Sequence, residues 1–405
     1  MISFKNKKLE CVIDIRSNKT VCVIFDLQKK NAFNILGWGQ KKSNGVFKSQ
    51  INNMDEVSKT IKEVLNEAIG KKKIKNKLLS NITDIHVHTK KNYNEIDIGG
   101  VNISKKEIRK IYKKSINNSS IFKKKLIHSI PLKFNLDKNQ FISDPLGIYC
   151  EKLGLSTFNV WINSNIFKNL ENCFKKSELN LEEVVDSGYA SSIACLDNSE
   201  KEEGSVCIDI GAGSSKVAVF FKGGLEYLDY TALGGNDVTN DIKNGLEISN
   251  ELAEYIKIMH GGLEFVSTKR ISVNLPDGNK KIITQNLLQG IIKPRYEEIF
   301  EIIRDKLDKN LIIKMGINKI VLTGGASQIT GLQNLSEKIF NRKTRIAKPK
   351  SSFSQINGKP EFSTIFGLIK IRSSLNVKKI MQLNSDNKVY NLMERFDNWV
   401  NESFM

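Results

Sequence analysis

The chain has 405 residues, 40% of them hydrophobic, and a formal charge of +19 at pH 7. That length exceeds one small core and calls for two lobes or more, while no stretch approaches the roughly eighteen consecutive apolar residues that a membrane-spanning helix requires. The positive charge is overwhelmingly Lys, with much Asn and Ile beside it, and Arg, the better reader of phosphate and bases, is scarce; this favours a solvated surface or attraction to an anionic membrane over a nucleic-acid groove, so no nucleic-acid partner is expected.

The opening residues, MISFKNKKLECVIDI, pass from a short charged start straight into a strand pattern with no small-residue cleavage site, so no signal peptide is expected. Residues 12–25, VIDIRSNKTVCVIF, read as an apolar strand, an acid (Asp14), a short polar turn with Lys19, and a second apolar strand. A further strand is expected over 33–40 and a helix near Met54–Ile69. His86 and His88 alternate on a probable strand and read as structural. The six cysteines form no CxxC pair and mostly sit in apolar runs, as small buried hydrophobes of a reducing compartment do.

Residues 207–224, CIDIGAGSSKVAVFFKGG, repeat the plan of the first hairpin, with Asp209 in the place of Asp14. An ordinary hairpin needs no acid at its tip, and an internal repeat of this content implies two related halves. Both copies continue into another strand, 225–233 in the second, and then a helix, here entering at GGNDVTNDI with Asn236 or Asp237 as its cap. In KIVLTGGASQITGLQNLSEKIF (319–340) a strand ends at Gly324–Gly325 and a polar turn opens a helix, which lets backbone approach a ligand closely. The chain closes with KVYNLMERFDNWVNESFM (388–405), in which Val389, Leu392, Met393, Phe396, Trp399, Val400 and Phe404 recur at steps of three and four, on an arc of about 140°. This amphipathic helix follows a polar tether, 371–387, and has three possible seats: its own domain, a partner's groove, or a bilayer interface.

Strand–strand–strand–helix, twice, followed by a strand–GG–helix, resembles the two phosphate motifs and the adenosine motif of the actin superfamily. The resemblance implies an α/β, actin/ribonuclease-H-like two-lobed ATPase fold that binds ATP with Mg²⁺. Asp14 and Asp209 would face each other across a cleft, hold Mg²⁺ through water and, at Asp209, orient a water near the terminal phosphate. Phosphate would meet Ser17, Asn18 and Lys19 on one side and the Gly211–Ser215 turn on the other, with Gly211 and Gly213 bare and Ser214 and Ser215 adding hydroxyls. Gly235, Asn236, Gly324, Gly325 and Ala326 complete the expected nucleotide contacts. Arg16 stands where the superfamily usually has Gly, at a steric cost if the turn needs positive φ; it either points at the phosphates or crowds them.

VDSGYASSIACL (185–196), LGGNDVTNDI (233–242), IIKPRYEEI (291–299), IVLTGGASQITGL (320–332) and FSTIFGLI (362–369) resemble, in order and spacing, the bacterial division protein family FtsA. LIHSIPLKFNLDKNQFISDPLG (126–147) resembles the family's inserted α/β subdomain. The resemblance implies a first lobe over 1–204 with the insert at about 84–163, a second lobe over 205–370 with a smaller subdomain at about 243–305, the tether, and a membrane-targeting helix over 388–405. It implies a cell-division protein that forms filaments with itself on anionic lipids at the cytoplasmic face of the inner membrane, tethers the tubulin-like ring protein FtsZ through its C-terminal peptide and engages later division proteins. Turnover would be slow at most. Glu254 and Lys257 would border the adenosine, or form an ordinary intrahelical pair; Lys293 and Arg295 would meet the acids of the ring peptide, or remain solvated. The alternatives are an actin-like pilus-assembly ATPase and a sugar or acetate kinase of the same superfamily.

Overall fold

A computed structural model describes residues 9–27, 33–70, 77–264, 269–274, 280–310, 315–349, 351 and 353–374. The expected amphipathic helix 388–405, with Leu392, Met393, Phe396, Trp399, Val400 and Phe404, lies outside them.

The first hairpin pairs Leu9–Ile15 with Lys19–Leu27 in antiparallel register, Asp14 opposite Val21 and Ile15 opposite Thr20. Its apolar residues point alternately to two covered faces, as the period of two demands. Cys11, Ile13, Cys22 and Ile24 meet Val57, Ile61 and Val64 of the helix Met54–Ile69, whereas Val12, Val21 and Val23 meet Ile365, Phe366 and Ile369 of the helix Ser363–Ser374. Phe33–Lys42 extends the sheet antiparallel on one side, and Lys77–Ile82 then Asn180–Asp186 extend it in parallel on the other. The helix Met54–Ile69 starts at Asn53, whose side-chain oxygen accepts from the amides of Asp55 and Glu56.

The second half repeats this sheet strand for strand. Gly224–Thr231, Ser215–Phe221 and Ser205–Ile210 form the antiparallel meander, and Lys319–Thr323 and Lys343–Ile346 add in parallel. Val206, Ile208, Val217 and Val219 face Val238, Ile242, Tyr296 and Phe300 from the helices Gly235–Leu246 and Gln285–Lys309. The cap of the first of these is Gly234, not the expected Asn236 or Asp237; Asp237 instead accepts the amide of Gly234 from inside the first turn at 2.8 Å.

Between the strand Lys77–Ile82 and the helix Ser164–Lys176 the chain leaves the first lobe to build a separate four-stranded antiparallel sheet. Its strands run, in spatial order, His88–Asn102, Tyr149–Asn163, Lys124–Leu136 and Gln140–Ile142. The helix Lys105–Asn117, opened by a capping box between Ser104 and Glu107, seals a small core of Ile96, Ile108, Ile111, Phe134 and Leu155. At its base His128 Nε2 accepts the amide of Asp186 at 2.9 Å, and the Tyr230 hydroxyl of the second lobe donates to Asp186 Oδ2 at 2.6 Å. Burial pushes the Asp186 carboxyl up to about 6, against the hydrogen bonds that it accepts. All six cysteines are buried and unpaired, and no described helix is long and apolar enough to cross a membrane.

Two helices tie the halves together. Ser187–Cys195 leads from the first sheet towards the second, and Ser363–Ser374 returns to cover the first; residues 371–374, expected to begin the tether, complete that helix. Inside the returning helix Arg372, itself buried, donates to Glu10 Oε2 at 2.7 Å and Glu182 Oε2 at 2.9 Å. The two helices touch where Gly367 meets Ala190, so closely that a Cβ on Gly367 would lie 1.8 Å from the Ala190 carbonyl oxygen. Gly367→Ala therefore forces the helices apart and should destabilise the protein by about 1–3 kcal/mol. Gly290→Ala, on a helix where a Cβ meets nothing within 4 Å, should instead stabilise by about 0.4–1 kcal/mol; urea denaturation of the two variants against wild type checks both signs.

Candidate functional site

The matched hairpins bring their turns to the seam between the lobes. Asp14 and Asp209 each sit one residue before the end of their strand, and both side chains are buried. Each carboxylate has its own cation: Arg16 Nε donates to Asp14 Oδ2 at 2.7 Å, and Lys216 Nζ, buried and directly across the hairpin from Asp209, donates to Asp209 Oδ2 at 3.2 Å. The two acids are near enough to act on one another. Burial raises the Asp14 carboxyl, Arg16 and Lys216 pull it down, and the Asp209 charge adds to the rise. For Asp209 burial also works upward, but Lys216 and then Arg16 outweigh it and hold the carboxyl below its ordinary value. Among the described residues, Asp14 Oδ1, Asp209 Oδ1 and Arg16 Nη2 are buried and have no hydrogen-bond partner. Three orphaned polar atoms in one place are expensive unless something binds there.

Next to these groups lies a cavity of about 920 Å³, a size suited to a nucleotide-sized ligand; Arg16 reaches its wall, whereas Asp14 and Asp209, expected to face the ligand, lie buried behind it and do not line it. Of the residues expected to touch a nucleotide, Asn18, Lys19, Gly211, Gly235, Glu254, Lys257, Gly325 and Ala326 line it, as does Arg16. Ser17, Gly213, Ser214, Ser215, Asn236 and Gly324 do not. Their positions have other reasons. Ser17 Oγ accepts the amide of Ser49 at 2.9 Å, and the hydroxyls of Ser49 and Ser214 bond to each other at 2.8 Å, so a tip formed by Lys48 and Ser49 rests on both turns. The Ser215 hydroxyl donates to the Leu233 carbonyl at 2.8 Å, which removes it as the expected phosphate donor. Asn236 reaches across the lobes to Asn18 Oδ1 at 3.2 Å. The amide of Gly211 is committed to Ser214 O and those of Gly235 and Asn236 to Gly211 O and Ala212 O, so these three brace the loop. Gly324 has φ +91, and a Cβ there would lie 2.3 Å from Asp209 Oδ1; only Gly permits both the turn and the buried acid.

The first turn accommodates Arg16 without strain, since neither Arg16, Ser17 nor Asn18 has positive φ. The expected steric cost of Arg at this position is therefore absent. The guanidinium is held from a second side, Nη1 donating to the carbonyl of Glu361 at 2.8 Å. Glu361 lies 345 residues away, in the turn Pro360–Phe362, and nothing in the local sequence announces it. Lys216 was legible in principle, because a lysine in an apolar strand opposite an acid in hairpin register has few other partners.

On the far side of the cavity Glu254 and Lys257 form an intrahelical pair at 2.6 Å and also line the wall. Lys257 Nζ additionally donates to Gly235 O at 2.9 Å and Thr239 Oγ1 at 2.7 Å, fixing its helix, Asn250–His260, against the preceding one, Gly235–Leu246. Burial lowers the Lys257 ammonium, against the pull of Glu254. Tyr296, also on the wall, donates to Ala326 O at 2.8 Å. Lys293 and Arg295 flank Pro294 inside the long helix. Lys293 makes a loose pair with Glu297 at 3.6 Å. Arg295 is gripped by both oxygens of Asp241, at 2.7 and 2.9 Å, and by Glu298, so its guanidinium first of all joins two helices of its own lobe.

The family model described as "Cell division protein FtsA" matches residues 206–367, and that of the "SHS2 domain inserted in FTSA" matches 85–161. The cell division protein FtsA of Agrobacterium fabrum is 30% identical over 388 residues, covering 91% of this chain and 88% of the relative. That of Escherichia coli K12 is 24% identical over 421 residues, covering all of both chains. Among solved structures, the PilM-PilN type IV pilus biogenesis complex superposes with a TM-score of 0.63 at 15% identity, covering 90% of this chain and 98% of that one. MreB5 of Spiroplasma citri bound to ADP gives 0.55 at 12%, covering 89% and 94%. These two likenesses establish an actin-like fold.

Lys19 reports on the site directly. Burial and the neighbouring Arg16 push its ammonium down to about 8, while Glu361 and Asp14 pull the other way and Lys359 adds slightly to the fall. It is charged below that value and neutral above it. An NMR titration of isotopically methylated lysines should show the Lys19 signal with a midpoint near 8; Glu361→Gln should move it lower, and Arg16→Gly should move it higher. A Lys19 midpoint above 10 in wild type would contradict the electrostatics of the cleft.

Proposed function

The chain belongs to the FtsA family of cell division proteins, and on that footing we propose that it binds ATP between its lobes, assembles into filaments on the cytoplasmic face of a membrane and tethers FtsZ there. The observation that supports this most is the cavity at the seam, walled by two copies of one hairpin and backed by orphaned buried polar atoms. Polyphosphate fits the end where Arg16, Lys19 and Gly211 converge, and the adenosine fits the end walled by Glu254, Lys257, Tyr296 and Ala326. The structure of MreB5 of Spiroplasma citri bound to ADP is a precedent for nucleotide on this fold.

Mg²⁺ fits only through water. Each aspartate retains one unpartnered oxygen, and no group of three His, Cys, Asp or Glu among the described residues is placed to hold a metal directly. Asp14 and Asp209 would orient its water shell, and the ion would neutralise phosphate charge. Asp209, kept ionised by Lys216 and Arg16, is the candidate to position a water near the terminal phosphate.

Ring attachment falls to the smaller subdomain of the second lobe. An acidic, extended peptide would meet Lys293, whose pairing with Glu297 is loose; Arg295, held by Asp241, would contribute positive potential and a rigid helix face. The inserted subdomain, with Phe141 and Tyr149 exposed, is available for contacts between copies. Leu392, Met393, Phe396, Trp399, Val400 and Phe404 would enter the lipid interface, each burying at most ~1.5–3 kcal/mol of side chain before the cost of ordering the helix. One such helix holds weakly, and a filament of them holds by avidity.

Co-pelleting with vesicles containing anionic lipid tests this reading. Full-length protein should pellet more strongly with ATP than without, deletion of 388–405 should abolish pelleting, and the FtsZ C-terminal peptide should be carried down with the wild-type protein. Undiminished pelleting of the truncated protein would remove the membrane role from that segment.

A further inference from the structure

The charge balance of the cleft is unusual for a site meant to bind a metal-bound polyphosphate. Each aspartate arrives already neutralised, Asp14 by Arg16 at 2.7 Å and Asp209 by Lys216 at 3.2 Å. Lys19 and Glu361 add a further pair at 3.7 Å, and Lys257 and Glu254 on the wall another at 2.6 Å. A cleft with two uncompensated carboxylates would repel a triphosphate until a divalent cation intervened; this one does not.

Arg16 is also arranged as a ligand. Its Nε is bound to Asp14 Oδ2 and its Nη1 to the Glu361 carbonyl, so the plane of the guanidinium is fixed from two sides. Its Nη2 is buried without a partner, and the residue lines the cavity beside Gly211, Ala212 and Gly325. A guanidinium stays charged at any working pH and presents its donors in a rigid fork suited to phosphate oxygens. We propose that Arg16 is a built-in phosphate ligand that takes over part of the charge neutralisation otherwise left to a divalent cation, so that this chain binds nucleotide with little dependence on Mg²⁺. The proposal rests on the nucleotide reading of the cavity and goes beyond it by making a residue of the first turn set the site's metal requirement.

The test is equilibrium binding of ATP to the full chain, once with Mg²⁺ and once with EDTA, for wild type, Arg16→Gly and Arg16→Gln. Wild type should lose no more than about threefold in affinity when the metal is removed, whereas both variants should lose at least tenfold while still binding with Mg²⁺. A second readout is thermal unfolding in EDTA with inorganic tripolyphosphate, which should raise the midpoint of wild type and not of the variants. If all three proteins show the same metal dependence, Arg16 serves only as a brace for Asp14 and the proposal is overturned. If the variants bind more tightly than wild type in EDTA, Arg16 blocks the site and the proposal is again overturned. Absence of ATP binding by folded wild type in both conditions would instead overturn the nucleotide reading itself, and this proposal with it.

Discussion

The constraint on which this structure turns is the burial of two carboxylates, Asp14 and Asp209, at the seam between two sheets. Burial alone would drive both towards their neutral form, and an unpaired charge there would be costly. The protein answers with a cation from within each hairpin: Arg16 beside Asp14, and Lys216 across the ladder from Asp209. The consequences spread outward. Gly324 is required because any side chain would strike Asp209. The segment carrying Glu361 must close over the first turn to hold Arg16 from its far side. Of this buried group, Arg16 reaches the wall of the cavity, beside Lys19 and Gly211.

The same seam is where the two lobes are mechanically joined. Each lobe is covered partly by a helix that leads to the other, and these helices meet at the Gly367–Ala190 contact with no room for a methyl group. Nearby, Asp186 is shared by His128 below the inserted subdomain and Tyr230 of the second sheet. Contacts of this kind tie the two hairpin turns, the inserted subdomain and the returning helix to one seam.

Much of this plan is legible in the sequence because it is local. The hairpins announce themselves through alternating apolar residues interrupted by Asp14 and Asp209, and the helix Met54–Ile69 through its apolar spacing. The resemblance to the FtsA family covers the inserted subdomain, which composition and periodicity alone do not identify. What the sequence hides is long-range. Glu361 meets Arg16, Ser49 meets Ser17 and Ser214, and Arg295 meets Asp241 across separations that no spacing rule encodes. These partners explain why several expected phosphate contacts, Ser215 above all, are instead committed to holding the loops in shape. They also explain why Arg16 does not strain its turn: the turn keeps negative φ and the side chain finds two acceptors.

The central claim is that both halves of the repeat close on one nucleotide. Hydrogen–deuterium exchange of the full chain, with and without ATP, measures it most directly, because three separated segments must respond as one. The account predicts slowed exchange in residues 14–19, 209–215 and 324–328 at the same ATP concentration, with the inserted sheet changing far less. Protection confined to one lobe, or none at saturating ATP, would contradict it.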